Sequence, residues 1–161
     1  MVLLDPIPLH IVLYQPEIPA NTGNIGRLCV GCGAELHLIK PLRFIINDRM
    51  LKRAGLDYWD KLTLHLHHDL AEIYQAYPVQ RIFLCTTKSD RNYTSVRYQP
   101  GDVLVFGPES RGLPEPLLQQ YPAQTISIPM TPAIRSINLS NAVSIILYEA
   151  VRQIAIPPIV S

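Results

Sequence analysis

Residues Ile126–Ala150 read I-S-I-P-M-T-P-A-I-R-S-I-N-L-S-N-A-V-S-I-I-L-Y-E-A, and within them the chain changes character twice. Thr125–Ile128 is a short apolar strand. The next residues are irregular, because Pro129 and Pro132 lack a backbone donor and fix φ. A helix follows, with Leu139, Ala142, Val143, Ile146, Leu147, Ala150 and Ile154 recurring at the three-and-four spacing of one buried face. Between strand and helix stand Arg135, Ser136, Asn138, Ser140 and Asn141. One of them, Asn138 or Ser140, suffices to cap the helix. The surplus polar groups require another reason, and a binding or catalytic loop supplies one.

The same strand, loop and helix order recurs upstream. Leu9–Tyr14 reads as a strand, Gln15–Pro19 as a proline-broken loop, and a helix capped by Asn21 or Thr22 runs to about Cys32, with Gly33 in the left-handed position past its end. Leu36–Ile39, Leu62–Leu66, Arg81–Thr86 and Val103–Phe106 read as strands. Asp48–Ala54, Asp69–Tyr77 and Pro114–Gln120 read as helices, and Ser89–Gln99 as a polar loop with a weak edge strand. This alternation predicts an α/β fold with a mostly parallel sheet and helices on both faces. Ligands of such sheets bind beyond the C-terminal strand ends, which places the chemistry after Tyr14, Thr86, Phe106 and Ile128.

A chain of 161 residues, 48% apolar and 17% charged, fits one globular domain over 1–161. The net charge of +1 excludes recruitment of nucleic acid by a global basic field. A local patch is offered by Arg43, Arg49, Lys52 and Arg53, although charge alone favours an ordinary solvated helix face. Met1–Leu9 has no basic region followed by a long apolar run, so neither a signal peptide nor a membrane span is expected, and a cytoplasmic location is. Cys29 and Cys32 have ligand spacing but no second pair, and they fall in the pattern Ile25, Leu28, Cys29, Cys32 of a buried helix face. His65, His67 and His68 lack a carboxylate or thiol at ligand spacing and read as strand and surface residues. No metal is expected.

Three loops carry polar groups that packing does not require. Asn21–Arg27 (N-T-G-N-I-G-R) opens a helix after a strand. It is neither G-x-G-x-x-G nor a P-loop, so a dinucleotide site there is disfavoured. Arg27 stands one turn in, where a guanidinium can hold a phosphate bidentately, or simply face solvent. Phe106–Leu113 (F-G-P-E-S-R-G-L) is a tight glycine- and proline-bearing turn from which Glu109 and Arg111 project. Ser110 lacks the G-x-S-x-G elbow of a serine nucleophile. Pro129–Asn141 is the third.

Together N-T-G-N-I-G-R, F-G-P-E-S-R-G-L and I-P-M-T-P-A-I-R-S-I-N-L-S-N-A-V-S resemble the three motifs of the SPOUT methyltransferases. Ile11–Asn24 and Leu51–Tyr58 (L-K-R-A-G-L-D-Y) are similar to the small TrmL/YibK branch, whose members 2′-O-methylate the wobble nucleotide of tRNA(Leu). The resemblance spans about residues 10–153. It implies a C-terminal deep trefoil knot, the alpha-beta knot, within roughly 81–153. It also implies a homodimer with each active site near the subunit interface, and S-adenosyl-L-methionine bound in the knot. Carried over by position, Cys85, Thr86, Gly107, Glu109, Ile128, Met130, Ser136, Ile137 and Leu139 bind the cofactor. Asn21, Arg27, Glu109, Ser136 and Asn138 occupy the catalytic positions. The implied partner is the anticodon stem-loop of tRNA, not DNA, contacted through the Arg43–Tyr58 segment with base stacking on Tyr58 or Trp59. The apolar face of the last helix is expected to serve partly as the dimer interface.

The implied reaction is attack of a ribose 2′-hydroxyl on a sulfonium methyl. Glu109 is the only carboxylate in the three loops able to take the proton. Arginine stays protonated, so Arg27 suits a phosphate clamp better than a base. Two other readings share these residues: methylation of another tRNA position or of ribosomal RNA, and a non-catalytic RNA- or cofactor-binding module.

Overall fold

The computed structural model describes residues 1–47 and 57–156. Arg49, Lys52, Arg53, the expected helix 48–54 and most of Leu51–Tyr58 lie outside the described residues. Six strands, β1 (His10–Tyr14), β2 (Glu35–Ile39), β3 (Leu64–His67), β4 (Ile82–Cys85), β5 (Val103–Phe106) and β6 (Thr125–Ile126), form one sheet in the order β3-β2-β1-β5-β4-β6. Every pairing between them is parallel. The central strands are apolar on consecutive residues because both faces are covered. Ile11, Leu13, Leu36, Leu38, Leu104 and Phe106 point to one face, packed with α1 (Pro19–Cys32) and α4 (Leu139–Ala155). Val12, Ile39, Ile82, Leu84, Val103 and Val105 point to the other, beneath α2 (Ala71–Ala76) and α3 (Glu115–Gln120).

Helix α1 starts earlier than its polar residues indicate. Pro19 is at its first turn and Ile18 at the N-cap, with no side-chain cap of its own. Asn21 and Thr22 are therefore inside the helix and buried, not capping it. Its end is as expected: Gly33 adopts φ 81° and donates to Cys29 O at 2.8 Å. A Cβ at Gly33 would also fall 2.6 Å from Pro6, so this position requires glycine twice over. Cys29 and Cys32 are buried in the core, and burial pushes both thiols up.

In α4, Val143, Ile146, Leu147 and Ala150 are fully buried within the chain's own core. Each such aliphatic contributes about 1.5–3 kcal/mol. Leu139, Ala142 and Ile154 of the same face are only partly buried, and the exposed apolar residues of α4 are Ile145 and Tyr148. The last strand is also shorter than expected, Thr125–Ile126, with Ser127 continuing as an isolated bridge to Asn92.

The chain leaves β5, returns on the far side of β4 as β6, and then crosses back so that α4 packs on α1 and β5. Segment 86–101 runs over that crossing: Gln153 of α4 donates to Val96 O and accepts from Tyr98 N, both at 3.0 Å. At the base of β5, Asp102 is wholly buried and bound bidentately by Arg81 at 2.5 and 2.6 Å, which pins the end of segment 86–101.

Candidate active site

The loops after β1, β4, β5 and β6 converge on one cavity of about 420 Å³ at the C-terminal edge of the sheet. That size suits a small-molecule cofactor. Its floor is apolar, from Cys85, Phe106, Ile126, Ile128, Leu139 and Ile146; its rim is polar, from Asn21, Thr86, Glu109, Arg135, Ser136 and Asn138. All nine positions carried over as cofactor-binding line it: Cys85, Thr86, Gly107, Glu109, Ile128, Met130, Ser136, Ile137 and Leu139. Burial pushes the Cys85 thiol up, so it is a neutral wall residue and not a nucleophile.

Glu109 explains how α1 begins without a cap of its own. One carboxylate oxygen accepts from Glu17 N at 2.8 Å; the other accepts from Ile18 N at 3.1 Å and Asn21 Nδ2 at 3.3 Å. It is a cap delivered from another loop, placed where a helix N-terminus favours negative charge. The clip is reciprocal. Glu17 accepts from the Ser110 backbone N at 3.0 Å and from its Oγ at 2.6 Å, and these bonds hold its carboxyl below the ordinary range. Arg111 donates to Gln15 at 2.5 Å. Both oxygens of Glu109 thus accept from donors, and through Oε1 it anchors Asn21.

Asn138 caps α4, its Oδ1 accepting from Ser140 N at 2.9 Å and Asn141 N at 3.3 Å. Its amide then donates to Asn21 Oδ1 at 3.2 Å. A string Asn138–Asn21–Glu109 therefore ties the three polar loops together at the cavity mouth. Ser136 lies on that mouth, exposed, two residues before the cap.

Arg27 is not among the residues lining the cavity. It is exposed on α1, with its guanidinium carbon 5.9 Å from the Tyr58 ring centroid, a cation–π distance. Tyr58 is itself buried, and its hydroxyl donates to Gly23 O, so it holds α1 and Arg27 and is not a free stacking platform. Arg43 is exposed 3.9 Å from Glu17, next to the clip on the rim. Thr87 and Lys88, which no motif marks, also line the cavity, as does Arg135 of the surplus polar groups. Their place directly after β4 or in the third loop was the available signal.

His65 and His67 are in β3 and His68 is exposed, as expected, but the strands bring them company. His10, His37, His65 and His67 come together on the α2 side of the sheet, away from the cavity, and Glu35 supplies the carboxylate that sequence spacing lacked.

Residues 8–148 match the SpoU rRNA Methylase family. The chain is 53% identical over 150 residues to the tRNA (cytidine(34)-2′-O)-methyltransferase of Escherichia coli strain K12, covering 92% of this chain and 96% of that protein. It is 47% identical, with a TM-score of 0.85, to a structure solved for the 2-OH methylation of C/U34 on tRNA, covering 92% of this chain and 97% of that one. The SpoU methyltransferase AviRb of Streptomyces viridochromogenes, solved with the cofactor AdoMet, shares the fold at a TM-score of 0.77 and 25% identity, over 93% of this chain and 59% of that one. The three-loop cavity at the sheet edge and the matched span lead to one conclusion: the chain belongs to the SpoU rRNA methylase family.

Proposed function

We propose that this chain is a single-domain, homodimeric, cytoplasmic S-adenosylmethionine-dependent methyltransferase. Its substrate is the ribose 2′-hydroxyl of nucleotide 34 of tRNA, with tRNA(Leu) isoacceptors preferred. The observation that carries this reading is the convergence of all three polar loops on one cavity, taken with close similarity to enzymes named for that reaction.

The cavity suits the cofactor. An apolar floor suits an adenosine, the main chain at Cys85, Gly107 and Ile128 would hold it, and Glu109 puts a carboxylate at the rim. When bound, the cofactor supplies a methyl on a sulfonium, whose leaving group is already cationic and needs no acid. The protein's task is then alignment, which contributes several kcal/mol when two reactants are held in line. Asn21, Asn138 and Ser136 orient the 2′-hydroxyl at the mouth. Arg27, carried on α1 and braced by Tyr58, clamps the substrate phosphate and stabilises the developing alkoxide. The hydroxyl proton leaves to water or to that phosphate. Arg43 contributes a phosphate contact on the rim.

Nucleoside mass spectrometry of tRNA(Leu) from a strain lacking this chain tests the substrate. The 2′-O-methyl group at nucleotide 34 is lost, and it returns on complementation. Unchanged methylation there removes the reading; loss at another position or in ribosomal RNA reassigns the substrate within the family. Calorimetry with S-adenosylmethionine gives binding heat, which a pure RNA-binding module lacks.

A further inference from the structure

Parallel register gathers a second polar cluster far from the methyltransferase cavity. His10 of β1 is opposite Glu35 of β2, and His37 of β2 is opposite His65 of β3. Side chains of paired residues and of residues two apart share a face. His10, Glu35, His37, His65 and His67 therefore stand on one side of the sheet, where Tyr77 and Glu72 meet them. His10 Nδ1 is 3.1 Å from His37 Nε2 and 3.8 Å from Glu35 Oε2, and the ligand atoms of these three residues all lie within 4.8 Å of one another.

The proton order along the cluster is directional. One tautomer set satisfies the whole cluster: with the proton on His67 Nδ1, 3.4 Å from Glu72, His67 Nε2 is an acceptor. His37 Nδ1, 2.9 Å away, donates to it. That leaves His37 Nε2 as a bare lone pair aimed at His10 Nδ1. Tyr77 Oη lies 3.4 Å from the same His10 Nδ1, and its hydroxyl turns away when that nitrogen's lone pair binds an ion. Two nitrogen lone pairs and a carboxylate thus converge. A tetrahedral ion with metal–nitrogen bonds of about 2.0–2.1 Å separates its ligand atoms by about 3.3–3.4 Å, inside the 3.1–3.8 Å spread seen here.

We propose that His10, Glu35 and His37 bind one transition-metal dication of the Zn²⁺ class. His67 and Glu72 orient His37 from behind, and His65, 2.6 Å from Glu35 Oε2, orients the carboxylate. Histidine–carboxylate relays of this kind hold a ligating imidazole in one tautomer. Glu35 is partly exposed and gives the ion a way in, while the buried His37 closes the inner side. Two imidazoles and one carboxylate favour zinc and its first-row neighbours over magnesium or calcium. The site ties together β1, β2 and β3, so its occupancy stabilises that edge of the sheet.

Tag-free, full-length protein stripped with EDTA is titrated with Zn²⁺ alone by calorimetry, with thermal unfolding in parallel. One equivalent per chain binds with micromolar or tighter affinity and raises the Tm. His10→Asn and Glu35→Gln abolish or sharply weaken binding, with a Tm in EDTA close to wild type. His67→Gln weakens it about 10-fold. His68→Gln, an exposed neighbour, changes nothing. Co²⁺ binding gives visible d–d bands without thiolate charge-transfer absorption. Absence of saturable binding overturns the proposal, as does binding that survives both His10→Asn and Glu35→Gln, or thiolate bands that move the ion to the cysteines.

Discussion

Asn138 donates its side-chain amide to Asn21 Oδ1 at 3.2 Å, joining residues 117 apart in sequence. The same Asn138 caps α4 through its oxygen, so one residue fixes both where the last helix starts and where Asn21 points. The two jobs separate by substitution. Asn138→Ser keeps a capping oxygen and loses the amide; Asn138→Ala loses both. Loss of a cap costs about 0.5–2 kcal/mol. Asn138→Ala is therefore expected to lower both Tm and kcat, and Asn138→Ser to lower kcat at near wild-type Tm. Unfolding curves and single-turnover rates on the same preparations decide it; a fully active Ser variant shows that the Asn138–Asn21 bond is structural only.

Glu109 is the distant cap of α1. Glu109→Gln turns an acceptor-only carboxylate into an amide that must present NH₂ to one of its donors, Glu17 N, Ile18 N or Asn21 Nδ2. The expected destabilisation is about 1–3 kcal/mol, the range for a disrupted charged hydrogen bond. kcat falls because Asn21 loses its anchor, yet the pH–rate profile keeps its shape. An acidic limb present in the wild type and missing in Glu109→Gln returns the proton to this carboxylate.

Gly107 sits where β5 ends and the cavity begins. A Cβ there would lie 2.3 Å from Gly112 C and from Leu113 N, both backbone atoms that cannot swing away. Gly107→Ala must displace the 108–112 turn, with a packing cost of about 1–3 kcal/mol. That turn carries the clip to Glu17 and Gln15 as well as Glu109. Calorimetry is expected to show at least a roughly tenfold loss of S-adenosylmethionine affinity. Wild-type affinity in a folded Gly107→Ala protein removes the turn from the cofactor site.

Arg27→Lys and Arg27→Ala distinguish clamp from base. Arg27 is exposed on α1, outside the cavity lining, and held over Tyr58. As a bidentate phosphate clamp it is poorly replaced by lysine. Both variants are expected to lose most of their single-turnover rate, with Lys partly retained and no new ionisation in the pH profile. A Lys variant at wild-type rate, with a new pH dependence in the lysine range, assigns Arg27 the base role.

The sheet and its site were unevenly legible, for physical reasons. Ile82–Cys85 and Val103–Phe106 announced themselves because strands covered on both faces are apolar throughout. The cavity followed from the rule that ligands bind beyond C-terminal strand ends. The start of α1 did not, because its capping group is a carboxylate 88 to 92 residues away and local capping signals mark only local caps. The histidine cluster was hidden for a related reason: ligand spacing is read along one chain segment, whereas register places Glu35 beside His10 and His65 from separate strands. The knot runs against the general tendency of chains not to thread loops, so only the motif resemblance put it forward.

His37 gives the metal-free protein an acid-sensitive edge. Burial, reinforced by His65, His10 and His67, lowers its pKa to about 3, against 6.5 ordinarily. His10 is lowered as well, chiefly by burial, with Glu35 opposing. Facing this pair are Glu35 and His65 and His67 from the neighbouring strands, and Glu72 and Tyr77 from the α2 side. Between pH 6.5 and 3 the unfolded chain binds a proton at position 37 that the folded chain refuses, so stability is full above pH 6.5 and declines as pH falls. One such proton gives a slope of up to about 1.4 kcal/mol per pH unit. Urea unfolding in EDTA at pH 7, 6 and 5 measures it. His37→Gln, which cannot be protonated, is expected to be less stable at pH 7 but flatter with pH; equal slopes in the two proteins show that the acid sensitivity arises elsewhere.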